Sequence, residues 1–403
     1  MPGLPFAAGS HFSLELQRFS TVMNHPSLPL VCCIAGLWCA AVPAVHSQTR
    51  TWDGGGNSNN WSGPGGNGNN NWDGNNRVVA NGSDLVFAGA VRTTPNNNFT
   101  TFTSGGITFA NGASAFILGG NAITLGGNVT NRGSALQTID MNLLLSATRT
   151  FNADTGDLAA GGVISGSFGI NKTGLNQLFL RAANTHSGTT SISGGRLFAN
   201  NASGSATGTG AVSVAAGGTL GGSGFIAPSG SNGISVSGVL APGGALNTIG
   251  TLTLNMTGTT GIVAMNSGAS FEFQLGLPGG SITAVGVSDL LTLAGAAAND
   301  FAFSGNNVNF LNSGAVGFYK LFDTSNNNAN TWTGLTFDAT TGVVSSGLGY
   351  SNLASGLSGA FIVGTAGNGG TTGDIYFRVV PEPGAALLGG LSTLLLLRRR
   401  RTP

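Results

Sequence analysis

Between residues 48 and 380 the side chains able to do acid–base, nucleophilic or metal chemistry are few and far apart. His186 is the single histidine of that stretch, so it has no second imidazole for a metal and no cysteine to activate. Standing in for a packed aromatic is the simpler role for it. Asp154 and Asp157 form the closest carboxylate pair and the nearest approach to a calcium or acid–base site. No Asp-x-Asp-x-Asp run and no Gly-Gly-x-Gly-x-Asp calcium nonapeptide accompanies them, and the other acids are scattered. Trp52, Trp61 and Trp72, at spacings of nine and eleven among Asn and Gly, could stack on sugar rings. They could equally plug the open end of a stacked fold. No metal or cofactor site is expected from these residues.

Charge narrows the partners. Charged residues make up 7% of the chain, against about 25% in ordinary soluble domains. Residues 48–380 hold ten Lys+Arg and twelve Asp+Glu, a balance of −2. Nucleic acid and an anionic membrane face both require a basic field, so neither is expected as a partner of this body. Cys32, Cys33 and Cys39 are the three cysteines, all inside the apolar stretch Leu28–Val42. That stretch reads as a secretory leader with cleavage after Ala44 or Ser47, and Met23 is an alternative start. The exported chain is then free of disulfide and thiolate chemistry, which suits a Gram-negative surface.

The elements that must position these residues are strands. Gly-Ile-Thr-Phe, Ala-Val-Ser-Val and Phe-Glu-Phe-Gln-Leu alternate apolar with polar or small residues, the period of a half-buried strand. Strand starts fall near Gly106, Ala122, Leu143, Val163, Gln177, Ser191, Ala211, Gly233 and Gly250. Glycine-rich corners such as Gly194-Gly195 and Gly217-Gly218 punctuate them, and 69 glycines in 403 residues are enough to turn many corners. The expected fold is all-β, a parallel β-helix or solenoid, with a β-sandwich as the rival. The organisation divides as a leader (1–47), a Trp/Asn/Gly-rich cap (48–100), a β-helical body (101–270), a further β-rich segment (271–378) and a tail (379–403). Whether 271–378 continues the solenoid is open at this level.

The tail is the most specific signal. Val380-Pro381-Glu382-Pro383 precedes thirteen apolar or small residues (385–397) and then Arg398, Arg399, Arg400 and Arg401. A helix of that length rises about 20 Å, short of the roughly 30 Å hydrocarbon core. The prolines stop helix upstream, leaving Glu382 in an extended, accessible segment. The arginines favour cytoplasmic retention of the terminus. Together these parts resemble a PEP-CTERM sorting signal. The resemblance implies transient inner-membrane anchoring by a short transmembrane helix and cutting near Pro381–Pro383 by an exosortase-type membrane transpeptidase. Residues 172–198 resemble an autotransporter-associated β-strand repeat through Lys172, Gly174, Leu178, Leu180, Asn184, Thr185, Gly188, Thr190, Ile192, Gly195 and Leu197, with His186 where that family usually has an aromatic. Residues 212–224, 236–244 and 287–295 resemble segments that accompany such repeats. The implied fold is a passenger-like β-helix.

The resulting expectation is an exported, non-enzymatic surface or extracellular-matrix protein, in a setting that the tail's resemblance links to exopolysaccharide. Two other classes stand beside it. A carbohydrate-active β-helical enzyme, a polysaccharide lyase or hydrolase, would need acids distant in sequence to converge near a base such as Arg132, Arg149 or Arg196. A carbohydrate-binding protein would need the tryptophans exposed.

Overall fold

The computed structural model describes residues 48–63, 71–73, 79–243, 248–295, 300–312, 314–324, 331–382 and 384. Their regular structure is all β, and nearly all of it is parallel. Ile107–Phe109, Ile117–Gly120 and Ile123–Leu125 make one coil, and Val129–Asn131, Gln137–Ile139 and Leu143–Leu145 make the next. Each strand hydrogen-bonds to its counterpart one coil away, so the chain passes in turn through separate sheets. Among the described residues one side is a 12-stranded sheet and the second an 11-stranded sheet. The third side holds a 4-stranded sheet early in the chain and a 6-stranded sheet late in it. This is a β-solenoid body with parallel sheets.

The alternation in the sequence fixes which way each residue faces. Along the first side Leu85, Ile107, Val129 and Phe151 follow one another at 22-residue steps, all facing in. On the second side Leu158, Leu178, Leu197, Leu220 and Leu240 form a buried leucine ladder, continued by Phe271 and Val308. Between them the outward residues of the first side are small and polar, as in the ladder Ser191, Ser213, Ser235. A slip of one residue would turn the apolar set outward, so burial holds the register.

The true coil is steadier than the strand starts suggest. On the first side register partners lie 20 to 22 residues apart from Leu85 to Ile234. The starts at Ala122, Leu143 and Val163 lie at strands of one side, whereas the neighbouring starts at Gly106 and Gln177 belong to the other two, which made the spacing look loose. Later coils swell: Val236 pairs with Met265, Val263 with Phe301 and Phe301 with Trp332, steps of 29, 38 and 31. Part of the longest is a hairpin-like excursion, in which Gly276 N–H donates to Val287 O (2.7 Å) and Val287 N–H to Leu277 O (2.8 Å).

Neither boundary drawn inside the body interrupts the stack. Thr49–Trp52 pairs in parallel with Asp84–Phe87, which pairs with Ile107–Phe109, so the opening already belongs to the solenoid. Past residue 270, Ser270–Phe273 pairs with Asn306–Phe310 and that with Leu348–Ser351. The stack therefore continues through most of 271–378. It then closes with an antiparallel finish, where Ile375–Pro381 lies between Gly317–Thr324 and Leu357–Val363.

The first coil is sealed by the tryptophans. Trp52, Trp61 and Trp72 are 0%, 1% and 0% exposed, so their ring faces are not offered to a sugar and the stacking platform considered for them is absent. Trp72 meets Trp52 and Trp61 edge-on, at centroid distances of 5.1 and 6.0 Å, and all three surround Phe87. The Trp72 indole N–H donates to Trp61 O (2.9 Å) and that of Trp52 to Arg92 O (3.2 Å). A stack of coils exposes apolar core at its end unless something large covers it, and these rings do so. Trp72→Ala should cost about 3–5 kcal/mol of stability in denaturant titration. A surface tryptophan would cost almost nothing, so an unchanged midpoint would contradict this packing.

Candidate functional site

Three of the chemistry-bearing side chains, Lys172, Asn184 and His186, lie inside the coils of residues 172–198. Lys172 occupies an inward position on the first side, between Phe151 and Ile192, and is fully buried. Its ammonium donates to Thr173 O (2.7 Å), Gly174 O (3.0 Å) and Gly194 O (3.1 Å). Two of these carbonyls turn the corner of its own coil and the third belongs to the next, so the lysine ties two corners together. Burial draws its pKa down to about 8, opposed in part by the Asp157 carboxylate. Gly174 completes the corner with φ +78°, where a Cβ would lie 2.1 Å from Ala153 O.

Asn184 performs the same task where the third side has no strand. Between Ile164–Ser165 and Phe225–Ile226 that side is irregular. Asn184 Oδ1 accepts from Ile164 N–H (2.7 Å), and its Nδ2 donates to Ala206 O (2.5 Å). One amide thus spans three successive coils in place of a strand ladder. Asn201 follows it one coil later, its Oδ1 accepting from Phe225 N–H (2.8 Å).

His186 is fully buried beside them. Thr190 Oγ1 donates to Thr207 O (2.9 Å), so it accepts from His186 Nε2–H at 3.0 Å. That leaves Nδ1 without a partner. Burial holds the imidazole neutral, with its pKa lowered to about 4. Gly208 lies flat against the ring, where a Cβ would come within 2.9 Å of it. A neutral, enclosed imidazole whose one hydroxyl neighbour, Thr190, is itself tied to a backbone carbonyl is a packing residue with one hydrogen bond.

The acids are likewise spent on neighbouring coils. Asp157 Oδ1 accepts from Gln177 N–H (2.9 Å) and Asp84 Oδ1 from Gly106 N–H (2.6 Å). Asp154 is exposed and does not join Asp157 in a shared site. Asp289, which sequence reasoning passed over, is fully buried and accepts from Gly250 N–H (2.9 Å) and Gln274 N–H (2.7 Å). Burial pushes its pKa up to about 7. Lys320 bridges Asp323 (2.7 Å) and Asp374 (3.0 Å) at the antiparallel finish. Burial pulls that ammonium down, but the two carboxylates outweigh it and push its pKa up to about 12. Among the described residues no three of His, Cys, Asp and Glu gather as a metal site would require.

The surface offers a different kind of feature. An open trough of about 450 Å³ lies on the outer side of the 12-stranded sheet, over Ser213, Ser235, Gly233 and Ala264, with Ile262 beside it. None of its lining residues titrates near neutral pH. Asn98 and Asn128, each the first residue of an Asn-x-Thr triplet of the kind that can carry a glycan, already use their amides: Asn98 pairs with Ser62 N, O and Oγ, and Asn128 Oδ1 accepts from Thr150 N–H (2.9 Å).

Of the tail, Val380 and Pro381 close the last strand opposite Ser358 and Leu357. Glu382 N–H donates to Gly356 O (2.8 Å), and Pro381 and Glu382 are exposed. Pro383 and Arg398–Arg401 lie outside the described residues, as do the leader and the apolar segment 385–397. Among the described residues no helix is long and apolar enough to cross a membrane.

Two measurements test this account. Lys172→Met keeps the buried stem but strands three carbonyls, and should lower unfolding free energy by about 2–4 kcal/mol. His186 and Asp289 should act oppositely with pH. The native imidazole binds fewer protons than the unfolded one between pH 4 and 6.5, so its contribution is lost as pH falls through that window. The native Asp289 binds more protons than the unfolded carboxyl between 3.8 and 7, so its contribution is lost as pH rises. Relative to wild type, His186→Phe should gain about 2–3 kcal/mol on going from pH 7 to pH 4.5, and Asp289→Asn should shift the other way. Parallel curves for all three proteins would contradict the burial of both groups.

Compared with known proteins, the chain matches no protein-family model, no curated protein and no solved structure.

Proposed function

We propose that this chain is an exported, non-enzymatic structural or adhesive protein of the bacterial surface or extracellular matrix. The observation that carries this reading is the use of the polar interior. Lys172, Asn184, Asp157 and Asp289 spend polar atoms on backbone groups of another coil, and the outward ladder of the first side runs mainly through short Ser, Thr and Asn side chains. A surface of that kind suits repeated weak contacts with a polymer such as exopolysaccharide better than the single converging site a lyase or hydrolase needs.

Delivery is assigned to the two ends of the sequence. The leader (1–47) takes the chain across the inner membrane of a Gram-negative cell. The apolar segment 385–397 and Arg398–Arg401 hold it there transiently. An exosortase-type transpeptidase then acts at Val380–Pro383 and passes the body to the surface or medium. The paired strand up to Pro381 and the exposed Glu382 support this by leaving the box at the rim of the folded body. The family-level description that fits is a PEP-CTERM protein with an autotransporter-associated repeat in its solenoid.

Intact mass and the C-terminal peptide, measured on protein from each fraction of its own host, test the reading. A chain from the outer envelope or medium ending near Pro381–Pro383 is expected. A full-length chain ending at Pro403 and confined to the inner membrane would overturn processing and leave a tethered periplasmic solenoid.

A further inference from the structure

The two ends of the stack are finished differently. At the first coil the three tryptophans are at most 1% exposed. At the last, the core frays outward: Leu335, Phe337, Val344, Leu348, Leu353 and Leu357 are only partly buried against it. All six fall within 23 residues of sequence. Val343 and Tyr350 in the same stretch are 43% and 36% exposed.

These residues lie together. The short hairpin of Thr336–Phe337 and Val344–Ser346 sets Phe337 opposite Val344, and Val343 bridges to Ile362 in Leu357–Val363. The Tyr350 ring meets Phe361 and Phe377 edge-on, with its hydroxyl accepting from Gly359 N–H (2.9 Å). From Thr331 to Val363 the only charged residue is Asp338. An apolar fringe with so little charge is a surface waiting to be covered.

The position of the chain's exit names the cover. Leu357 is the register partner of Pro381, so the fringe borders the point where the chain leaves the fold. From there residues 382–384 span at most about 10 Å before the apolar segment begins. We infer that the last coil, through Val343, Tyr350, Leu353 and their neighbours, rests in the membrane interface while the tail is inserted. The inference depends on the proposed insertion of 385–397. Given that insertion, so short a connection holds this end of the solenoid against the headgroups. Tyr350 and Phe337 are ring types suited to that layer, and the low charge lets the leucines and valines enter it.

The full chain with Cys32→Ala, Cys33→Ala and Cys39→Ala contains no other cysteine, which permits single labels. Val343→Cys, Leu353→Cys and, on the outer face of the first side, Ser213→Cys would each carry an NBD fluorophore. The proteins would be reconstituted into phosphatidylcholine–phosphatidylglycerol vesicles with and without doxyl-labelled lipid. Flotation with the vesicles and quenching at 343 and 353 at least threefold above that at 213 is the expected result. Flotation with equal, weak quenching at all three sites would overturn the interfacial contact while leaving the inserted tail intact. Protein that fails to float would overturn both. Blue-shifted emission at 343 that grows with protein concentration in detergent, without lipid quenching, would replace the membrane by a second copy and overturn the inference.

Discussion

The hydrogen bond from one coil to the next is the interaction on which everything else in this protein depends. In a parallel stack a strand cannot satisfy its own backbone, and its partners lie a whole coil away, about 20 residues or more. Where strands are regular the ladder meets that demand. At corners and strandless stretches the demand remains, and a buried N–H or C=O without a partner costs about 1–3 kcal/mol. Side chains then have to supply donors and acceptors at coil spacing. That requirement accounts for Asn184, Asn201, Asp84 and Asp157, whose amides and carboxylates reach backbone N–H groups 20 to 24 residues away. It also accounts for Lys172, which brings three donors to three carbonyls that converge on one point.

A scarcity of charge and a polar interior are therefore two sides of one design. Several of the few ionisable groups, Lys172, Asp84, Asp157 and Asp289 among them, meet backbone groups of a neighbouring coil. Burying Asp289 raises its pKa and burying His186 lowers its own, so near neutral pH the imidazole is uncharged while the carboxyl titrates. Strong perturbation of this kind often marks an active site, but here the groups are apart: Asp289 meets two backbone N–H groups, and His186 meets a Thr190 hydroxyl that itself donates to backbone. The geometry separates the structural cause from the catalytic one. Asp289 is engaged on both oxygens by main-chain N–H groups and, being fully buried, presents neither to a substrate.

Much of this fold was legible in the sequence because strand alternation and glycine corners are local. Gly106, Ala122 and Leu143 each mark a real strand within a residue. Which side a strand belongs to was not legible, since that depends on corner lengths that vary between coils. The apparent 14-residue steps from Val163 to Gln177 and on to Ser191 are changes of side, and on the first side the coil stays at 20 to 22 as far as Ile234. Lys172, Asn184 and His186 were marked by their places in the repeat, but nothing local told that the lysine faces in. Its neighbours Phe151 and Ile192 do, and they lie 21 and 20 residues away. Asp289 was missed for the same reason: its partners Gly250 and Gln274 are far off in sequence.

The antiparallel finish imposes a last constraint. A parallel coil can always accept another, so an unmodified end invites continued pairing with a second chain. Ile375–Pro381 avoids this by running back between Gly317–Thr324 and Leu357–Val363, with Ile375, Phe377 and Val379 buried. The chain consequently leaves the fold from a central strand bonded on both sides. A pull on the tail acts along that strand and loads both ladders in shear, many hydrogen bonds at once, whereas an edge strand would unzip one bond at a time. The Lys320 bridge to Asp374 and the Trp332 N–H donated to Gly373 O (2.5 Å) pin the start of the same strand. Under the proposed insertion of the tail, the strand that terminates the solenoid is also the one that would bear its load.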